Sequence, residues 1–131
     1  MRTRGIVAVI AAGALLAAAA PALAAKRATI KPNPVKQGKT LTVVASDCFS
    51  NGHTAYVEVE IFPKGDRLIK RVRREASGVS STTKITIKMK PRRFLPDKYL
   101  VIVSCLHKFE DGSFKESWSE NETVRVKPAR I

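Results

Sequence analysis

The sequence is poor in the side chains that most catalytic and cofactor chemistry uses. Its 131 residues include two cysteines, two histidines and one tryptophan, and aromatic residues make up 6%. Acids are scarce as well, 11 against 24 Lys and Arg, so the formal charge is +13. No Gly-x-Ser-x-Gly elbow, phosphate-cradling glycine loop or His-Glu-x-x-His pair organises these residues into a reaction centre. Glu58 and Glu60 share one face of a single extended run, whereas hydrolytic carboxylates must oppose each other across a cleft. Beyond the first two dozen residues no apolar run approaches the roughly 20 residues that span a bilayer. These absences argue against a large cofactor-binding enzyme, a multi-span membrane protein and a repeat array, and the length allows one domain. The expectation is a chain without enzymatic activity, cofactor or metal.

What is present begins with an export signal. Met1-Arg2-Thr3-Arg4 is a short basic segment, Ile6 to Ala20 is apolar, Pro21 ends any helix, and Ala22-Leu23-Ala24 offers small residues at alternate positions. That is the layout of a cleaved signal peptide. The reading is a signal-peptide helix over 1–24 and a mature domain over 25–131, secreted or associated with the cell wall. Removing Arg2 and Arg4 with the leader leaves 22 basic and 11 acidic residues, a charge of +11. No cysteine closes the leader and no anchoring tail precedes Ile131, which argues against lipidation and leaves no transmembrane segment after cleavage.

In the mature part apolar residues recur with period two. Val57, Val59 and Ile61 alternate with Glu58 and Glu60; Ile85, Ile87 and Met89 alternate with Thr86 and Lys88; Leu41 and Val43 share a face. Such alternation predicts half-buried antiparallel strands. Tyr99-Leu100-Val101-Ile102-Val103 is apolar on both faces, which predicts a central strand covered on each side. Turn residues separate the runs at Pro32-Asn33-Pro34, Gln37-Gly38, Ser50-Asn51-Gly52, Pro63-Lys64-Gly65-Asp66 and Glu110-Asp111-Gly112-Ser113, and a last strand is expected over Glu122 to Val126. Seven or eight short strands at about ten-residue spacing predict an all-β sandwich.

Two segments carry a family resemblance. Asn33-Pro34-Val35-Lys36-Gln37-Gly38-Lys39-Thr40-Leu41-Thr42-Val43 leads to Cys48, and Pro96-Asp97-Lys98-Tyr99-Leu100-Val101-Ile102-Val103-Ser104 leads to Cys105. They resemble the secreted immunoglobulin-like domains of actinobacteria, in which a Pro-x-x-x-Gly turn opens a strand ending near one cysteine and a Pro-x-x-Tyr strand ends in a second. The resemblance implies an immunoglobulin-like β-sandwich. Tyr99 lies six residues before Cys105 and Trp118 follows it, so the pattern departs from that of an antibody domain.

Two cysteines in an exported chain most simply form one disulfide, Cys48–Cys105. It would close a loop of 57 positions and contribute about 4 kcal/mol by chain entropy. The competing reading groups Cys48, His53, Cys105 and His107 as a tetrahedral site for zinc or cuprous copper, in the reduced chain.

Charge is the feature above background. From Lys64 to Lys98 there are twelve Lys or Arg residues and three acids, a net +9, whereas Lys108 to Glu122 carries −3. Lys70, Arg71, Arg73 and Arg74 lie on one expected strand, Lys84, Lys88 and Lys90 on the next, and Arg92 and Arg93 in the following loop. Paired, those two strands would display one cationic surface for an anionic polymer of the cell envelope or extracellular space. The few aromatics there argue against sequence-specific nucleic acid readout. A binding or structural module is expected; the alternative is a small extracellular effector or enzyme inhibitor acting through Ser50–Thr54, Pro91–Asp97 or His107–Phe114.

Overall fold

The computed structural model describes residues 26–129 apart from 51, 66 and 81. The expected signal peptide lies outside the described residues. Eight strands follow in order: β1 (Ala28–Lys31), β2 (Val35–Lys36), β3 (Thr40–Ala45), β4 (Ala55–Pro63), β5 (Lys70–Glu75), β6 (Thr83–Lys88), β7 (Asp97–Lys108) and β8 (Phe114–Lys127). They form two layers, a three-stranded sheet β1-β3-β6 and a five-stranded sheet β2-β8-β7-β4-β5. This is an all-β sandwich with the strand order of an immunoglobulin-type domain, its first strand divided between the sheets. Pro32 and Pro34 mark the division, because proline cannot donate to a ladder. One pairing departs from the antiparallel expectation: β2 runs parallel to β8, with Val35 opposite Val126.

Period-two alternation builds the core. Leu41, Val43 and Ala45 on β3 face inward beside Ile85 and Ile87 on β6, with Thr42 and Thr86 turned away. From the other sheet Val57, Val59 and Ile61 meet them together with Val101, Val103, Val124 and Val126. Trp118 covers one end, its indole N–H donating to the Asp47 carbonyl at 2.9 Å. Cys48 and Cys105 are bonded, their Cα atoms 5.7 Å apart. The bond ties the β3–β4 connection to β7.

The strand β7 is central, but only one of its faces is covered. Tyr99, Val101 and Val103 are buried, while Leu100 on the outer face is 39% exposed. The three-stranded sheet packs on a single side of β7, so the outer apolar residues have only same-face neighbours, Phe62 beside Leu100 and Glu60 beside Ile102. The last strand is also longer than expected, since β8 begins at Phe114 directly after the 110–113 turn. Gly112 makes that turn with φ +88°, a conformation costly for residues with a Cβ.

Connections alternate between the two ends of the sandwich. At one end lie the β3–β4, β5–β6 and β7–β8 loops, joined by Ser50 N–H to the Ser77 carbonyl at 3.1 Å and Lys108 N–H to the Thr54 carbonyl at 2.8 Å. At the other end lie residues 37–39, 64–65, 67–69, 89–96 and 127–129, joined by Gln37 N–H to the Lys127 carbonyl and Gly38 N–H to the Met89 carbonyl.

Candidate functional site

The strand β5 reads Lys70-Arg71-Val72-Arg73-Arg74-Glu75 and lies at the edge of the wider sheet. Its alternate residues therefore meet two different environments. Arg71 and Arg73 stand on the outer face opposite Glu60 and Glu58. Each donates through Nη2 at 2.7 Å and Nε at 3.1 Å to one carboxylate oxygen, Arg71 to Glu60 and Arg73 to Glu58. Glu58 is buried and an unpaired carboxylate there would be costly; Arg73 supplies its partner and also lies over the Phe114 ring, 4.7 Å from the centroid. Glu60's hydrogen bond, then its charge, push the Arg71 guanidinium pKa above the ordinary value. These two cations are neutralised where they stand.

The other set, Lys70 and Val72, is in register with Ile61 and Val59 and points toward the second layer. A three-stranded sheet cannot cover a five-stranded one, so β5 overhangs. The space beside the β6 edge is a cleft of about 260 Å³ lined by Lys70, Val72, Thr86, Ile87, Lys88, Lys90, Arg93 and Phe94. Its floor is apolar and its rim carries four cations, with no carboxylate among the described residues that line it.

The cationic loop is held rigidly. Pro91 follows Lys90, whose carbonyl accepts from the Arg93 and Phe94 amides at 3.0 and 2.8 Å, a tight turn. Phe94 is buried under that turn and meets Tyr99 edge-on, ring centroids 5.7 Å apart. Tyr99 in turn donates to the Leu95 carbonyl at 2.6 Å, and burial, with the Asp97 charge second, raises its phenol pKa. Gln37 Nε2 donates to the Phe94 carbonyl at 2.9 Å, and Arg93 Nη1 reaches the Ile69 carbonyl at 3.1 Å, strapping the loop to the start of β5.

Of the nine expected polyanion-binding residues, Lys70, Lys88, Lys90 and Arg93 meet at this cleft, and Arg92 is exposed in the same turn. Arg71 and Arg73 face away from it. Arg74, opposite Val57, and Lys84, opposite Val44, lie at the far ends of their strands. The expected single surface made by pairing the two basic strands does not form: β5 pairs with β4 and β6 with β3, in different sheets. What brings their residues together is the proximity of two sheet edges. Sequence reasoning missed Lys36, Lys39, Lys98, Arg125 and Lys127, which the ladders carry to the same end of the sandwich. The available signal was the alternation of strand direction, which sends every second connection to one end.

The histidines gather at the opposite end. The His53 and His107 rings lie 5.3 Å apart, and His107 Nε2 is 3.9 Å from Cys105 Sγ. Both sulfurs are taken up in the disulfide, so the thiolate ligands of the competing metal reading are not formed. Among the described residues no three His, Cys, Asp or Glu side chains converge to hold a metal ion. The three loops of the inhibitor alternative are divided: the described residues of 50–54, and 107–114, lie at this end, 91–97 at the other. Among the described residues no helix is long and apolar enough to cross a membrane.

No family model matches the chain, and no curated protein matches it.

Proposed function

We propose that the chain is an exported, non-catalytic binding module that attaches to anionic polymers of the cell envelope or the extracellular space through its cationic cleft. One observation carries the reading: Lys70, Lys88, Lys90 and Arg93 line a single cleft in which the described residues place no carboxylate. Like charges held together without counter-charges raise the local potential, and a multivalent anion relieves it by releasing small ions. The leader, the disulfide and the resemblance to secreted actinobacterial immunoglobulin-like domains support a destination outside the cytoplasm.

The test is binding to wall phosphate polymer and to heparin between 50 and 500 mM salt. Four contacts at about 0.7 released ions each give a log–log slope near −3, so affinity falls about 50-fold between 50 and 200 mM. Reversing Lys88 and Arg93 to Glu removes most of that slope, whereas reversing Lys108 and Lys115 at the opposite end leaves it. Absence of binding at 50 mM, or retention that salt does not change, overturns the proposal.

A further inference from the structure

A second concavity opens at the same end of the sandwich. It measures about 440 Å³ and is lined by Lys64, Lys98, Arg125 and Lys127, with Asp97 as the one acid among the described residues and Pro96, Val126 and Pro128 as its apolar part. Lys98 and Arg125 are directly opposite each other on β7 and β8. Asp97 is engaged locally, accepting from the Lys98 amide at 2.7 Å, and the ion pairs among the described residues involve none of these four cations. This cleft joins the two ends of the basic segment, Lys64 and Lys98, to Arg125 and Lys127 of the last strand.

The two clefts are related by the sheet itself. The strands β8, β7, β4 and β5 are consecutive neighbours, and three inter-strand spacings of about 4.8 Å separate β8 from β5 by about 14 Å. Lys64, in the turn from β4 to β5, lines the second cleft while lying on the way to the first. Neither lining offers an exposed ring: Phe94, the only aromatic residue in either, is buried. A nucleobase or sugar ring needing a stacking platform finds none. A slender chain with charges along its backbone fits.

We propose that the two clefts are subsites of one extended site for a linear phosphate polymer, whose chain crosses the end of the sandwich from Lys88 and Arg93 to Lys98 and Arg125. This rests on the reading of the first cleft as an anion site and adds a length requirement. Lys98 and Arg125 lie on the outer face and Lys70 on the inner one. The strand separation of about 14 Å is therefore the least a chain must span, and only a longer chain gains from both subsites.

The experiment compares inorganic triphosphate with polyphosphate of roughly 15 units, by calorimetry at 0.1 M salt, on the mature protein and two variants. The expected result is at least ~10-fold tighter binding of the long chain. Lys98→Glu with Arg125→Glu abolishes that gain and leaves triphosphate affinity within about twofold, while Lys88→Glu with Arg93→Glu weakens both ligands. Unchanged melting temperatures confirm that the variants fold; if the Glu pair lowers it, Lys98→Gln with Arg125→Gln replaces it. Equal affinity for both chain lengths, or a long-chain gain that survives the second-cleft variant, overturns the two-subsite proposal while sparing the first cleft. Failure of the unmodified protein to bind either ligand overturns both.

Discussion

The two ends of the sandwich are built from the same kind of connection, but one is strongly basic and the other is charge-mixed and aromatic. One carries Lys36, Lys39, Lys88, Lys90, Arg93, Lys98, Arg125 and Lys127 around two clefts. The other mixes Asp47, Glu110, Asp111 and Glu116 with Arg74, Lys84, Lys108 and Lys115, and carries exposed Phe49, Phe109 and Phe114 and the histidine pair. They are also held shut differently. The histidine end is closed covalently by Cys48–Cys105, the basic end by the buried Phe94 ring and Gln37 hydrogen bonds. Two strand ladders separate the ends, so stability can be lost at one without loss of function at the other.

Removing the bridge is the largest perturbation of the comparison. Cys48→Ala with Cys105→Ala should lower unfolding free energy by about 4 kcal/mol and the melting temperature by roughly 15–30 °C, measured by denaturant and thermal melts. Below the melt, polyphosphate affinity should stay within about twofold, because the clefts lie at the far end. A tenfold loss in still-folded protein would mean that the two ends are not independent.

Phe94→Ala makes the converse case. Truncating a buried phenyl costs about 3 kcal/mol here, at the lower end of the usual range, because the cavity opens onto a solvent-filled cleft. The Lys90–Arg93 turn loses its anchor, so anion affinity should fall more per kcal/mol of lost stability than in the disulfide variant. Calorimetry beside a melt checks this, and a variant that melts early but binds normally would show that the turn is held by Gln37 and Arg93 alone.

The contrast between the ends was only partly legible in the sequence. Alternation at Thr40–Ala45, Ala55–Ile61 and Thr83–Lys88 identified three core strands directly, because each buries one face against the other layer. The first half of β8 was hidden because Glu116, Ser117, Ser119 and Glu120 surround Trp118 as its one buried residue. The two cysteines gave the bridge by compartment and parity. The cleft was half visible: charge density along the chain flagged Lys70, Lys88, Lys90 and Arg93, but equally Arg71 and Arg73. Which arginines are free depends on cross-strand partners, Glu58 and Glu60, that register alone supplies. Lys98 closes the +9 stretch, but Arg125 lies 27 positions further on across a stretch whose charges nearly cancel, so composition gave no hint of their pairing.

The smallest expected effect lies in the acidic turn. Asp111 Oδ1 accepts from the Ser113 hydroxyl at 2.6 Å and its amide at 2.8 Å, and these hydrogen bonds, the hydroxyl foremost, lower the carboxyl pKa. A carboxylate whose folded pKa is depressed binds its proton more readily in the unfolded chain. Its contribution to stability is therefore complete above the unfolded value of about 3.9 and disappears as pH falls through the lower folded value. Ser113→Ala removes the foremost of the two bonds, so the melting temperatures of variant and parent should differ slightly at pH 7 and converge below about pH 4. Polyphosphate binding should be the same in both at every pH where they fold, since the turn lies at the end remote from the clefts. A difference in melting temperature that is as large at pH 3 as at pH 7 would assign the stabilisation to turn geometry instead of to the carboxylate's charge.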